Sequence, residues 1–231
     1  MFKLMRLEMR KFRIGTYIRA AVIANVVILA LVCAISLNEE ITQDVPFTSY
    51  GMAFSVIDTL VRGTYVVFAA VLLSRLVIDE FRSKSITVLF MYPINRKKLI
   101  AAKLLVVALF TLAADIAANL FIGAGFLLFN QFTDIIAEPI TGAIAAHSLF
   151  VTVMSALATS LLGLIPLYIG MRNYSGAATV ASSFFVVALV CQTADGFTLY
   201  SIIAVPIGLA LLGAAVAYMS IRNIEHIDVL K

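Results

Sequence analysis

The stretch "DEFRSKSITVLFMYPINRKKLIAAK", residues 79–103, is the polar break around which the rest of the chain is organised. It carries eight charges, six of them basic, around the turn-like run Tyr92-Pro93-Ile94-Asn95. On both sides the sequence is strongly apolar. Of 231 residues, 62% are apolar and 13% charged, and the mean hydropathy is +1.05. Soluble domains carry about 25% charged residues. This composition belongs in a bilayer, where a spanning helix takes about 20 apolar residues. The net charge of +4 sits on no basic soluble domain, so it argues for orientation in a membrane and against nucleic acid as a partner.

Apolar runs lie near residues 17–38, 54–78, 99–129, 145–171, 175–194 and 198–221. None alternates with period two, and backbone groups in lipid must be bonded within their own segment, so the runs read as helices. The expected fold is all-α: one polytopic transmembrane domain over residues 1–231 with six transmembrane helices. Residues 1–16 are expected to form an interfacial helix, with Lys3, Arg6, Arg10 and Arg13 on one ridge and Phe2, Met5, Met9 and Phe12 beside it. The alternative is a basic tail that serves only as a topology signal. The first apolar run exceeds the hydrophobic core of a signal peptide and reads as an uncleaved anchor.

Sixteen of the seventeen Lys and Arg residues fall on one side of this plan. They lie before or at the first span, around residues 75–103, at Arg172, and after the sixth span at Arg222 and Lys231; Arg62 is the exception. The opposite side holds Glu39, Glu40, Asp44, Asp58, Asp134, Glu138 and Asp195. By the positive-inside rule, both termini and residues 79–98 face the cytoplasm.

A connection that only joined two helices could be much shorter. In this one, "SKSITVLFMY" can form a short helix ending before Pro93, and Asn95 suits the N-cap of a long third helix running from Arg96 to about Asn130. A short helix with mixed apolar and charged residues, held at the water boundary, fits a docking element. The alternative is an interfacial helix that snorkels its Lys and Arg to lipid phosphates.

The run Glu80-Phe81, Ile86-Thr87, Val88-Leu89, Pro93-Ile94-Asn95-Arg96 and Lys103 resembles type 2 ABC transporter permeases. A Gly that precedes the Thr in that family is replaced here within "SKSIT". The resemblance extends to the N-terminal segment and the six-span plan. It implies a cytoplasmic coupling helix between helices 2 and 3 that seats in a separate ATP-binding cassette subunit. It further implies a second permease, as homodimer or heterodimer, in a bacterial plasma membrane. Glu80, Phe81, Arg82, Ile86, Leu89, Phe90 and Arg96 are the contact residues it implies. The chain has no G-x-x-x-x-G-K-[ST] loop, so ATP and Mg are expected on the partner subunit and no cofactor on this chain. The resemblance also implies export of an amphipathic or hydrophobic substrate: a peptide, a peptide antibiotic or a drug.

Asp115 lies midway along the third run, where a buried acid is expensive and marks a functional position by default. It reads either as part of a translocation path with Asn119, or as one rung of a hydrogen-bond ladder through Thr111 and Asn119. A third reading makes it the proton site of an ion-coupled secondary transporter. Asp58 and Arg62, at i and i+4, read as an ion pair at the interface or as a substrate clamp. Ser155, Thr159 and Gly163 form a small-residue face for helix packing, and Pro166 and Pro206 are expected kinks. Cys33 and Cys191 read as buried thiols, His147 and His226 stand alone, and neither a metal site nor a nucleophile–base constellation is expected.

Overall fold

The structure, a computed structural model, describes residues 14–37, 49–83, 96–133, 136, 142–191, 193–194, 197–198 and 204–223. The apolar runs form helices, and the hydroxyls of Ser49 and Ser175 cap the starts of two of them. Helix α1 is Ile14–Leu37 and α2 is Tyr50–Arg82, opened by Ser49, whose hydroxyl accepts the Met52 N–H at 3.4 Å. Helix α3 is Arg96–Thr133 and α4 is Gly142–Leu162. A turn over residues 163–165 leads into α5, Pro166–Asn173, with Pro166 at its start, the break that a proline imposes. Helices α6, Gly176–Val190, and α7, Ala204–Asn223, complete the bundle.

The all-α fold expected from composition is the one found; the sole strand pairing described joins Thr193–Ala194 to Phe197–Thr198. Among the described residues, four helical runs are long and apolar enough to cross a membrane: Gly15–Leu37, Tyr50–Arg82, Lys97–Thr133 and Ala145–Asn173. Two more are apolar but shorter, Gly176–Val190 and Val205–Ser220. The boundaries differ from expectation in three places. Helix α1 begins at Ile14, inside the segment given to an interfacial helix, and the rest of that segment lies outside the described residues. Helix α2 absorbs Asp79–Arg82 from the segment 79–98 given to the loop, while the next helix starts at Arg96, where it was expected. Helix α6 stops at Val190 rather than reaching residue 194, because the chain turns into the small strand pair.

Helix α2 is the centre of the bundle, packing against α1, α3, α4 and α6, and 56% of its apolar window is buried against 22% for α1. Close approach to it is made possible by small residues. A Cβ added at Gly163 would lie 2.6 Å from the Ala69 Cβ, so the turn that follows α4 lies nearly backbone to backbone against α2. One core forms at the Arg82 end, from Leu72, Leu76, Ile78, Phe81, Ile100, Leu104 and Leu167. Another forms towards the Tyr50 end from α1, α2 and α3, including Ile57, Tyr65, Ile122 and Phe126. Asn130 ties α3 to the start of α2, donating to the Tyr50 hydroxyl at 2.8 Å.

Near its Arg82 end, α2 is wound as a π-turn over Ser74–Ile78, where the Asp79 N–H reaches back to the Ser74 carbonyl. Such wide turns are rare and recur at functional sites.

Candidate functional site

Two groups of polar side chains are built into the bundle. The first lies at the Arg82 end, beneath the connection between α2 and α3. Lys103, on α3, is fully buried, and its ammonium lies 2.9 Å from the Glu80 carboxylate. The same nitrogen donates to the Leu76 carbonyl at 3.2 Å, inside the π-turn. A lysine can be held this deep only when its charge is paired and its donors are used. Phe81 is also buried, with its ring 6.2 Å from that of Tyr174 in the turn between α5 and α6. Tyr174 adopts a left-handed conformation, with φ of 45°, at the end of α5.

Arg82 is exposed, and Arg75 and Asp79 form a solvent-facing pair at 3.5 Å. Of the expected contact residues, therefore, Glu80 and Phe81 are used inside the chain and Arg82 faces out. Arg96 opens α3, with its backbone described and its side chain not. Ile86, Leu89 and Phe90, and with them the expected coupling helix, lie outside the described residues.

The second group is in the half of the bundle nearer Tyr50. Arg62, only 1% exposed, spends its guanidinium on three helices. Nη2 pairs with Asp58 on its own helix, Nε donates to the Ser155 hydroxyl on α4 at 3.4 Å, and Nη1 donates to the Val190 carbonyl of α6 at 3.3 Å. Ser155 in turn donates to Asp58 Oδ2 at 3.0 Å. The expected ion pair is formed and is buried within the protein, and Ser155, read as a packing residue, is its third member. Burial is stable here because the fork geometry of Arg satisfies several acceptors at once.

Asp115 has 0% exposure, and neither carboxylate oxygen has a hydrogen-bond donor among the described residues. The ladder expected through Thr111 and Asn119 is not formed. Thr111 donates to the Val107 carbonyl at 2.9 Å, and Asn119 donates to the Asp115 backbone carbonyl at 3.2 Å, leaving the carboxylate alone.

Beside this group, a partly open cavity of about 280 Å³ lies between the N-terminal halves of α2 and α4 and the start of α7. Phe54, Phe150, Val151, Met154 and Pro206 line it with apolar surface, and Asp58, Arg62 and Ser155 lie in its wall.

Buried charge pairs set in an apolar helical bundle are the features that known proteins can be compared with. The profile described as ABC-2 family transporter protein matches residues 4–191. The chain belongs to the ABC-2 transporter family. The Bacillus subtilis (strain 168) protein described as "Uncharacterized protein YcbO" is 39% identical over 225 residues, which cover 97% of this chain and 99% of that protein. No solved structure matches the chain. As an ABC-2 protein, the chain is a multi-pass membrane subunit of an ABC transporter, and its family implies association with an ATP-binding cassette subunit.

Sequence reasoning on this ABC-2 protein singled out Glu80 and Lys103 as motif positions but did not pair them. Their contact crosses the connection between two helices, and the π-turn that offers the Leu76 carbonyl has no simple sequence signature.

Proposed function

We propose that this ABC-2 subunit is the permease of an ATP-driven exporter, moving an amphipathic or hydrophobic substrate such as a peptide, a peptide antibiotic or a drug. In this reading the connection between Arg82 and Arg96 is cytoplasmic, as are both termini, and seats in an ATP-binding subunit that holds ATP and Mg. A second permease completes the pathway.

The observation that supports it is the buried Lys103–Glu80 pair, reinforced by the Leu76 carbonyl. It fastens the last turn of α2 to the first turns of α3. A load applied to the connection is then delivered to both helices together rather than absorbed by a slack loop. Arg82 and Arg96, with Ile86, Leu89 and Phe90, supply the contact in this reading, while Glu80 and Phe81 hold the seat in shape. Asp115 and Asn119 belong to the path.

The test is purification from native membranes in mild detergent, with the full chain tagged. A nucleotide-binding subunit in stoichiometric amount is expected, and Arg82→Ala combined with Arg96→Ala, which leaves the buried Lys103–Glu80 pair in place, should abolish transport while leaving expression intact. Normal transport by that double variant overturns the docking role.

One observation favours a second reading, an ion-coupled secondary transporter with Asp115 as its proton site: both oxygens of this buried carboxylate lack donors among the described residues. It requires transport that survives ATP depletion and is lost in Asp115→Asn.

A further inference from the structure

Side-chain hydroxyls in these helices have a common fate. Thr59, Thr64, Thr111, Thr133, Thr159 and Ser160 each donate to a carbonyl three or four residues back on their own helix. In an apolar setting that carbonyl is the nearest acceptor, and a hydroxyl left without a partner is costly. Ser55 on α2 and Thr152 on α4 depart from this. Neither side-chain oxygen has a hydrogen-bond partner among the described residues, and neither is sealed inside the protein. Both residues lie in the wall of the cavity between α2, α4 and α7.

The two hydroxyls stand at one level. Helices α2 and α4 run in the same direction, since Ser155 meets Asp58 and, further along, Gly163 meets Ala69. Ser55 and Thr152 each come three residues before that Asp58–Ser155 contact, close to one helical turn nearer the helix starts. Below them the charged floor is spent. Asp58 Oδ2 is taken by Arg62 and Ser155, and Asp58 Oδ1 is sealed from the cavity. The guanidinium is used on Asp58, Ser155 and the Val190 carbonyl, and Asp115 is not part of the wall. Towards the helix starts, Ser148 has a partner within the protein. His147 is exposed, so water screens any charge it carries, and its ring adds a hydrogen-bonding group at the rim.

The remaining side chains of the wall are apolar: Phe54, Phe150, Val151, Met154 and Pro206. A volume of about 280 Å³ lies at the small end of ligand pockets and holds one short chain with a compact head. A charged head would lose its water against this floor and gain no free counter-ion. A hydroxyl head can both donate to and accept from Ser55 and Thr152.

We infer that this cavity binds an uncharged, hydroxyl-bearing amphiphile, with its head at Ser55 and Thr152 and its chain along Phe54, Phe150, Val151 and Met154. The hydroxyl can belong to a free alcohol or to the glycerol head of a neutral lipid; the recognising chemistry is the same. This goes beyond transport driven by ATP and does not rest on it, because binding is a property of this chain alone.

The test photolabels the full chain in phosphatidylcholine nanodiscs with a diazirine analogue of octanol and identifies the labelled peptides by mass spectrometry. Label is expected within residues 51–62 and 147–155, and excess octanol should remove it. Octane, which has no head, and octanoate and octylamine, which are charged, should protect about tenfold less well. Ser55→Ala combined with Thr152→Val should weaken protection by octanol about tenfold. The thermal midpoint of that variant should stay at the parent's value, since neither hydroxyl has a partner to lose. Stronger protection by 1-octanoylglycerol than by octanol assigns the site to a glycerol head, and equal or weaker protection assigns it to a simple alcohol. The inference is overturned by label confined to other peptides or not displaced by octanol, or by octane, octanoate or octylamine protecting as well. Unchanged protection in the double variant overturns it too, as does a lowered midpoint, which would show the two hydroxyls already bonded within the protein.

Discussion

Arg62 on α2 donates to the carbonyl of Val190, the last residue of α6, at 3.3 Å. The end of one helix is therefore closed by a charged side chain from another. The last carbonyls of a helix lack internal partners, and a cation near them is favourable. Helix α6 has 15 residues, a rise of about 22 Å, which is less than the roughly 30 Å of a bilayer core. It ends within the bundle, and Arg62 takes up one of the carbonyls it exposes there.

Removing either side of the Arg62–Asp58 pair should destabilise the protein more than removing both. Breaking a buried pair costs about 3–5 kcal/mol because the surviving charge is stranded. Arg62→Met alone is expected to lower the thermal midpoint in detergent sharply, and Arg62→Met with Asp58→Leu to recover much of the loss. Additive effects in the double-mutant cycle would show that the two charges do not interact.

Lys103→Met should have two separable effects. Stability falls, since Glu80 is left largely buried without its cation, and Glu80→Gln added to Lys103→Met restores part of it. Coupling does not return with stability, because the fastening between α2 and α3 is gone in both variants. Substrate-stimulated ATP hydrolysis of the assembled transporter checks this; full stimulation in the stabilised double variant contradicts the proposed role.

Asp115→Leu is expected to raise the thermal midpoint. A carboxylate with no donor among the described residues is a net liability in an apolar interior, and an apolar side chain of similar size removes its desolvation cost. Transport should fall in the same variant, the usual trade between stability and a site's polarity. A lowered midpoint would mean that the acid has a structural partner.

Gly163→Val should destabilise by overpacking, by about 1–3 kcal/mol, since its side chain would be driven into Ala69. Ala69→Gly in the same chain is expected to restore much of the loss. Thermal unfolding of the two single variants and the double one measures the coupling directly.

Much of the fold was legible because the bilayer imposes a simple rule: apolar runs of sufficient length become helices. The third run was expected from Arg96 to about Asn130 and extends from Arg96 to Thr133, and Pro166 opens a new helix where a kink was expected. The fates of charged residues were less legible. Lys103 counts in the sequence as one more cation flanking a span, yet it is fully buried. Asp58 and Arg62 sit near the end of a run, where exposure is the natural reading, and only α4 and α6 make them interior. Their partners Ser155 and Val190 are far away in sequence, and local periodicity carries no information about such meetings. The isolation of the Asp115 carboxylate was hidden for the opposite reason: Thr111 and Asn119 stand at the right spacing to reach it, but bond the helix backbone instead.

The wide turn at Ser74–Ile78 has a further consequence. It inserts one residue's worth of phase into α2, so a helical wheel carried from Tyr50 misplaces the residues beyond Ile78 by about 100°. If the same residues were rewound as regular α-helix, Glu80 would swing by that angle off the line to Lys103 without any loop having to unfold. A twist confined to one turn is thus enough to undo the clasp, and the least motion that frees the connection is a rotation rather than a displacement.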